Sequence, residues 1–140
     1  MVRTFFDSNV FLYMQSSADP WKQARARELV QQYSAEGRIV LSTQVVQEFY
    51  AVGLRKLALP REQVKQTVVT LLAYPLVLLG PAHILKAIEH EERYQISFWD
   101  ALILSAAEGG GAEVLFTEDL NDGQQYGEVL VRNPFRRDKT

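Results

Sequence analysis

The sequence predicts an α/β fold built on a parallel β-sheet with helices on both faces. Three observations predict it. Strand and helix signals alternate along the chain. The strand segments are short and apolar, as strands buried on both faces are. The length is 140 residues, 47% of them hydrophobic and 23% charged, enough for one such domain without disulfide or metal staples.

The elements follow in chain order. Val2–Phe6 is apolar and aromatic and stops at Asp7-Ser8-Asn9, so it reads as a buried strand leading into a helix. Asp, Ser and Asn side chains accept from the free N–H groups of a first helical turn. Asp19-Pro20 opens the next helix, with proline where its missing N–H costs nothing. That helix runs to about Ala35 and ends at Gly37. Arg38–Leu41 is a second strand, and Ser42 or Thr43 caps a helix to about Leu57. Leu59-Pro60 starts another to about Ala73, Pro75 breaks it, and Leu76–Leu79 is a third strand. Pro81 opens a helix to about Tyr94, and Ser97 opens one that ends at Gly109-Gly110-Gly111. Glu113–Phe116 is the fourth strand. A polar loop from Thr117 to Gly127 precedes a short fifth, Glu128–Val131. No repeat, linker or low-complexity segment interrupts residues 1–135, which read as one domain. Residues 136–140, Arg136-Arg137-Asp138-Lys139-Thr140, read as a charged, frayed tail.

Composition removes several chemistries. There is no cysteine, which excludes disulfide scaffolds, thiolate zinc sites, iron–sulfur clusters and cysteine nucleophiles. Two histidines leave little room for a histidine-rich metal site. Lys and Arg number 15 against 17 Asp and Glu, a net charge of −2, which argues against a strongly basic nucleic-acid module but leaves a local basic surface open. The start reaches Asp7 before any apolar signal region forms. The most apolar stretch, Val64 to Leu79, holds Lys65, Gln66, Thr67, Thr70 and Pro75, so it does not span a membrane. A cytoplasmic protein is the expectation.

In an open parallel sheet, ligands bind beyond the carboxyl ends of the strands. Asp7 follows the first strand directly, and Asp119 follows the fourth, two residues after Thr117. Glu48 lies in the first turns of the helix after the second strand, and Asp100 in the first turn of the helix that Ser97 opens. If strands one and four are neighbours, all four acids converge at one sheet edge. Carboxylates without Cys or His partners describe a hard-cation site suited to Mg²⁺ or Mn²⁺. Such ions activate a water and neutralise a phosphodiester. Each acid also has a structural reading. Asp7-Ser8-Asn9 suits a strand-to-helix turn, and Asp119 an Asx-turn. Glu48 suits a solvated position, although it borders the stripe Val45, Phe49 and Val52. Ser97-Phe98-Trp99-Asp100 matches a capping box. The joint placement of the four is the stronger argument.

Four segments in order carry a resemblance. Phe6-Asp7-Ser8-Asn9-Val10, Ser42-Thr43-Gln44-Val45-Val46-Gln47-Glu48-Phe49, Phe98-Trp99-Asp100-Ala101-Leu102-Ile103 and Leu115-Phe116-Thr117-Glu118-Asp119-Leu120 resemble the motifs of the PIN domain. The chain is most similar to the small single-domain VapC-type toxins of toxin–antitoxin pairs. Asp122-Gly123-Gln124 and Val131-Arg132-Asn133-Pro134-Phe135 also look like that group. The resemblance covers essentially the whole chain. It implies a three-layer α/β/α fold whose five-stranded parallel sheet has the order 3-2-1-4-5. It implies a metal-dependent endoribonuclease hydrolysing RNA phosphodiester bonds with Mg²⁺ or Mn²⁺, a cognate antitoxin partner, and a homodimer. Carried over residue by residue, Asp7, Glu48, Asp100 and Asp119 form the acidic quartet. Asp7, Asp100 and Asp119 would hold the ion, and Glu48 would reach it directly or through water. Asn9 and Thr117 match supporting polar positions. Asp122 is an additional acid whose role stays open. The alternative is a catalytically weak PIN-fold module that binds RNA or protein; a deoxyribonuclease and a phosphatase are the enzyme rivals.

Other features carry less. Asn9 stands where a phosphorylated-aspartate phosphatase usually has a second aspartate. The triple glycine lacks a following Gly-Lys-Ser/Thr and reads as a helix C-cap and turn. His83 and His90 share one helix face with Lys86 nearby, read as solvated. Tyr13, Tyr94, Phe98 and Trp99 have faces that could stack on bases, but core is favoured for Phe98. Without the four proposed ligands the charge balance becomes +2, and Arg25, Arg27, Arg55, Lys56 and Arg61 could contact phosphates or simply line a wet face. Val64–Leu72 carries more apolar residues than one inward stripe requires, which suggests a two-fold contact there or on the preceding helix.

Overall fold

A computed structural model of the chain describes residues 2–137. Its sheet is built from six strands: β1 (Thr4–Phe6), β2 (Ile39–Ser42), β3 (Leu76–Val77), β4 (Val114–Phe116), β5 (Gln125–Tyr126) and β6 (Val129–Arg132). Six helices cover it: α1 (Ser8–Gln15), α2 (Pro20–Ala35), α3 (Thr43–Arg55), α4 (Arg61–Leu71), α5 (Pro81–Tyr94) and α6 (Phe98–Gly109). The strand order is β3-β2-β1-β4-β6-β5. The first five of these run parallel, and β5 pairs antiparallel with β6 at the edge. The predicted parallel order is therefore present, with β6 as the predicted fifth strand and β5 as an addition.

Local chemistry starts the helices where the sequence places them. Asp7 has extended backbone and its carboxylate accepts the Ser8 N–H at 2.7 Å, beginning α1. Asp19 caps α2 by accepting from Lys22 N–H, Ser42 caps α3 by accepting from Val45 N–H, and Ser97 caps α6 by accepting from Asp100 N–H. Pro20 and Pro81 occupy the first positions of α2 and α5. The unbroken burial of Ala101–Ala107 makes α6 a central helix with little wet face. Phe5, Phe6, Phe11, Phe49, Leu104 and Leu115 fill the core on either side of the sheet. Burying each stabilises the fold by about 1.5–3 kcal/mol relative to exposure. Among the described residues, no helix is long and apolar enough to cross a membrane.

Two readings need correction. The segment 117–127 is not all loop. Tyr126 is buried against Tyr94, ring centroids 4.9 Å apart, and Gly127 takes a positive φ of 60° in the two-residue link to Val129. That geometry lets β5 fold back on β6. The histidine face of α5 is not solvated either. His90 is buried and hydrogen-bonded to Glu108 of α6, and His83 Nδ1 accepts the Gly80 N–H at 3.0 Å. The close packing of α5 against α6 turns this face inward. Of the predicted tail, residues 138–140 lie outside the described residues.

Candidate active site

The register of the central strands builds the site. Thr4, Phe5 and Phe6 of β1 pair with Val114, Leu115 and Phe116 of β4, so both strands end together. Asp7 and Thr117 consequently emerge side by side. Asp7 N–H donates to the Phe116 carbonyl at 3.0 Å, and Thr117 Oγ1 donates to Asp7 Oδ2 at 2.7 Å. Thr117 Oγ1 also accepts from Asp119 N–H at 3.1 Å. One hydroxyl thus orients the first acid and ties down the loop that carries the last.

All four acids lie in one another's field. Asp7 is only 4% exposed, and its carboxyl is pushed up to about 6. Burial is the main cause, opposed by the Thr117 and Ser8 hydrogen bonds and reinforced by repulsion from Asp119 and Asp100. Glu48 is pushed up to about 7, first by burial and then by Asp7, Asp119 and Asp100, while Gln44 one turn earlier pulls it down. Asp100 is raised by burial, which the Ser97 hydroxyl partly offsets. Asp119 is raised by burial, then by Asp100 and its neighbour Glu118. Among the described residues none of the four takes part in an ion pair.

The donor set fits a hard divalent cation. Every donor is oxygen, the negative charge is uncompensated, and Asn9 Oδ1 is buried with no hydrogen-bond partner. Among the described residues no three acidic or histidine side chains stand together as a ready-made cage. Mg²⁺ keeps several waters and needs only one or two carboxylates directly.

The remaining assignments sort themselves. Asp122 accepts from Asn133 N–H at 2.9 Å and from Arg136, so it fastens the C-terminal turn and is held below its usual range by that backbone bond. Arg25 and Arg27 donate to the Pro134 and Met14 carbonyls, and Arg61 donates to Tyr50, which gives these three structural partners. Phe98 packs partly buried against Ala87 and Leu102, whereas Trp99 is 64% exposed. Tyr13 lies edge-on to Phe135 and donates to Glu118 at 2.5 Å, while Lys22 binds both. Sequence reasoning missed this Tyr13–Lys22–Glu118 cluster and missed Gln44. The amide of Gln44 is buried, and its Nε2 donates to the Trp99 carbonyl at 3.2 Å. The spacing of Gln44 and Glu48, one turn apart on α3, is the local signal for it.

Comparison with known proteins gives one family and a set of folds. The family model for the PIN domain matches residues 4–123. No curated protein matches the sequence significantly. Among solved structures, a toxin–antitoxin complex from Klebsiella pneumoniae superposes with a TM-score of 0.72 at 19% identity, covering 96% of this chain and 99% of that one. A sarcin–ricin-loop-cleaving VapC toxin of Mycobacterium tuberculosis gives 0.64 at 18% identity, covering 83% and 91%. DNA-bound VapBC from Salmonella typhimurium gives 0.68 at 15% identity, covering 96% and 99%. At such identities the likeness is one of fold.

Proposed function

The chain belongs to the PIN-domain family, and from that premise we propose that it is a metal-dependent endoribonuclease, the toxin of a toxin–antitoxin pair. The observation that carries this reading is the set of four carboxylates without cationic partners, supplied by four separate chain segments at the carboxyl edge of a parallel sheet. Asp7, Asp100 and Asp119 would hold Mg²⁺ or Mn²⁺, with Glu48 reaching it directly or through water. When bound, the cation supplies charge neutralisation at the phosphodiester and acidifies water at the site. The protein does the rest. Thr117 fixes the orientation of Asp7 through Oδ2, and Asn9, two residues on, holds a buried amide oxygen with no hydrogen-bond partner. Glu48 would orient the attacking water and accept its proton. Water attacks phosphorus in line, the phosphorus–oxygen bond to the leaving ribose oxygen breaks, and a solvent proton completes that hydroxyl. No side-chain nucleophile takes part.

Several parts of the reading extend beyond the chemistry. Residues 1–135 act as one nuclease domain in the cytoplasm. A cognate antitoxin binds it, as the toxin–antitoxin complexes of like fold suggest, and two copies form a homodimer. Incubation of the purified protein with structured RNA in Mg²⁺ or Mn²⁺, in chelator, and with DNA and a small phosphate ester in parallel tests the core claim. Metal-dependent cleavage confined to RNA is expected. Cleavage that survives chelation, or turnover of DNA or the ester alone, would overturn it. The lack of a ready-made cage favours the binding-module alternative; RNA binding without turnover in Mn²⁺ is the outcome that would select it.

A further inference from the structure

We propose that Gln44 is a positioning residue that ties the Glu48 helix to the Asp100 helix and so sets the spacing of the carboxylates facing the cation. The inference rests on the nuclease reading above. Gln44 is 6% exposed, and a buried primary amide is costly unless its groups are paired. Nε2 is paired with the Trp99 carbonyl, but Oε1 has no partner. For packing alone, an apolar side chain of similar volume would serve better, because it would strand no oxygen. The amide bridges two helices that share no extended packed face. Helix α3 packs on α1 and α4, α6 packs on α5, and both rest on β2, which α3 follows directly. The shared strand seats the two helices, and the hydrogen bond fixes their approach at the site. It ends on the residue before Asp100 and starts one turn before Glu48.

The test uses the full chain and Mn²⁺ alone as probe. Gln44→Leu removes the tie and the stranded oxygen together. Its melting temperature in chelator should equal or exceed that of the parent. Its Mn²⁺ affinity by calorimetry should fall about tenfold, the scale of losing a partner that orients metal ligands, and RNA cleavage should fall with it. The Gln44→Leu/Asp100→Asn double variant should bind Mn²⁺ no more weakly than Asp100→Asn alone, because Gln44 acts through Asp100. If Gln44→Leu fails to fold, Gln44→Met conserves length and volume and carries the same measurements. Unchanged Mn²⁺ affinity in a folded variant would overturn the proposal while leaving the nuclease reading intact. Absence of saturable Mn²⁺ binding by the parent would remove both.

Discussion

Asp100 does two things that the structure separates. Its N–H is capped by Ser97 Oγ at 3.1 Å, which needs only the backbone of residue 100. Its carboxylate belongs to the acidic cluster and is raised by burial. Asp100→Asn should therefore keep the cap, melt at the same or a higher temperature in chelator, and lose RNA cleavage on the order of a hundredfold or more. Ser97→Ala should lose the cap, at a cost of about 1 kcal/mol of stability, and should weaken cleavage far less than Asp100→Asn, because it removes only a hydroxyl that favours the ionised carboxylate. A less stable but fully active Asp100→Asn protein would remove residue 100 from the metal site. The raised carboxyls also fix a pH dependence. In the folded state Asp7 ionises at about 6 and Glu48 at about 7, against 3.8 and 4.5 as their ordinary values. Between those limits the folded chain binds more protons than the unfolded one, so stability falls as pH rises. For buried Asp7 the loss is on the order of 3 kcal/mol; for Glu48, screened by solvent, it is smaller. Melts in chelator should run higher at pH 5 than at pH 7.5, and saturating Mg²⁺ should flatten the difference. The four acids were legible because strand ends and first helical turns are marked in the local sequence. Gln44 and His90 were not, because their partners, Trp99 and Glu108, lie across the fold on another helix.

At the scale of elements, the end of α6 shows how one sequence feature holds two causes. Gly111 has a φ of 71°, the conformation expected just beyond a helix C-cap. Gly110 does not; its φ is ordinary, but a Cβ there would lie 2.7 Å from Val40 Cγ1 and 2.9 Å from Val77 Cγ2. The glycine run is thus half a turn signal and half a close approach of α6 to β2 and β3. Gly110→Ala should destabilise by about 1–3 kcal/mol through overpacking, measured by urea unfolding, with no change in Mn²⁺ affinity. A neutral substitution would mean that the valines yield freely. Helix starts and the parallel strands were readable because caps, prolines and apolar runs are local signals. The two-residue β5 was not, since its one buried anchor is Tyr126 inside a polar stretch. The Gly127-Glu128 pair ahead of Val129 was the available clue to a hairpin.

For the whole molecule, the exposed apolar side chains are unevenly spread. Tyr50 of α3 and Leu72, just beyond α4, are exposed beside a groove of about 300 Å³ lined also by Thr43, Val46, Gln47 and Val68, and Val69 of α4 is exposed as well. Only Val64 and Leu71 of α4 are fully buried, so the surplus apolar character read in Val64–Leu72 is on the outside. Apolar patches of this kind mark contact surfaces. Sedimentation should show a dimer that Leu72→Glu converts to a monomer with an unchanged melting temperature; a parent that stays monomeric at all concentrations would remove this assignment. The central pairing has a consequence of another kind. Strand β1 is completed by β4, so Asp7 gains Thr117 and meets Asp119 only when residues 114–119 of 140 join the sheet. Asp7, Glu48 and Asp100 all precede that segment in the chain, so the fourth acid and the hydroxyl that orients the first arrive together, on one short stretch.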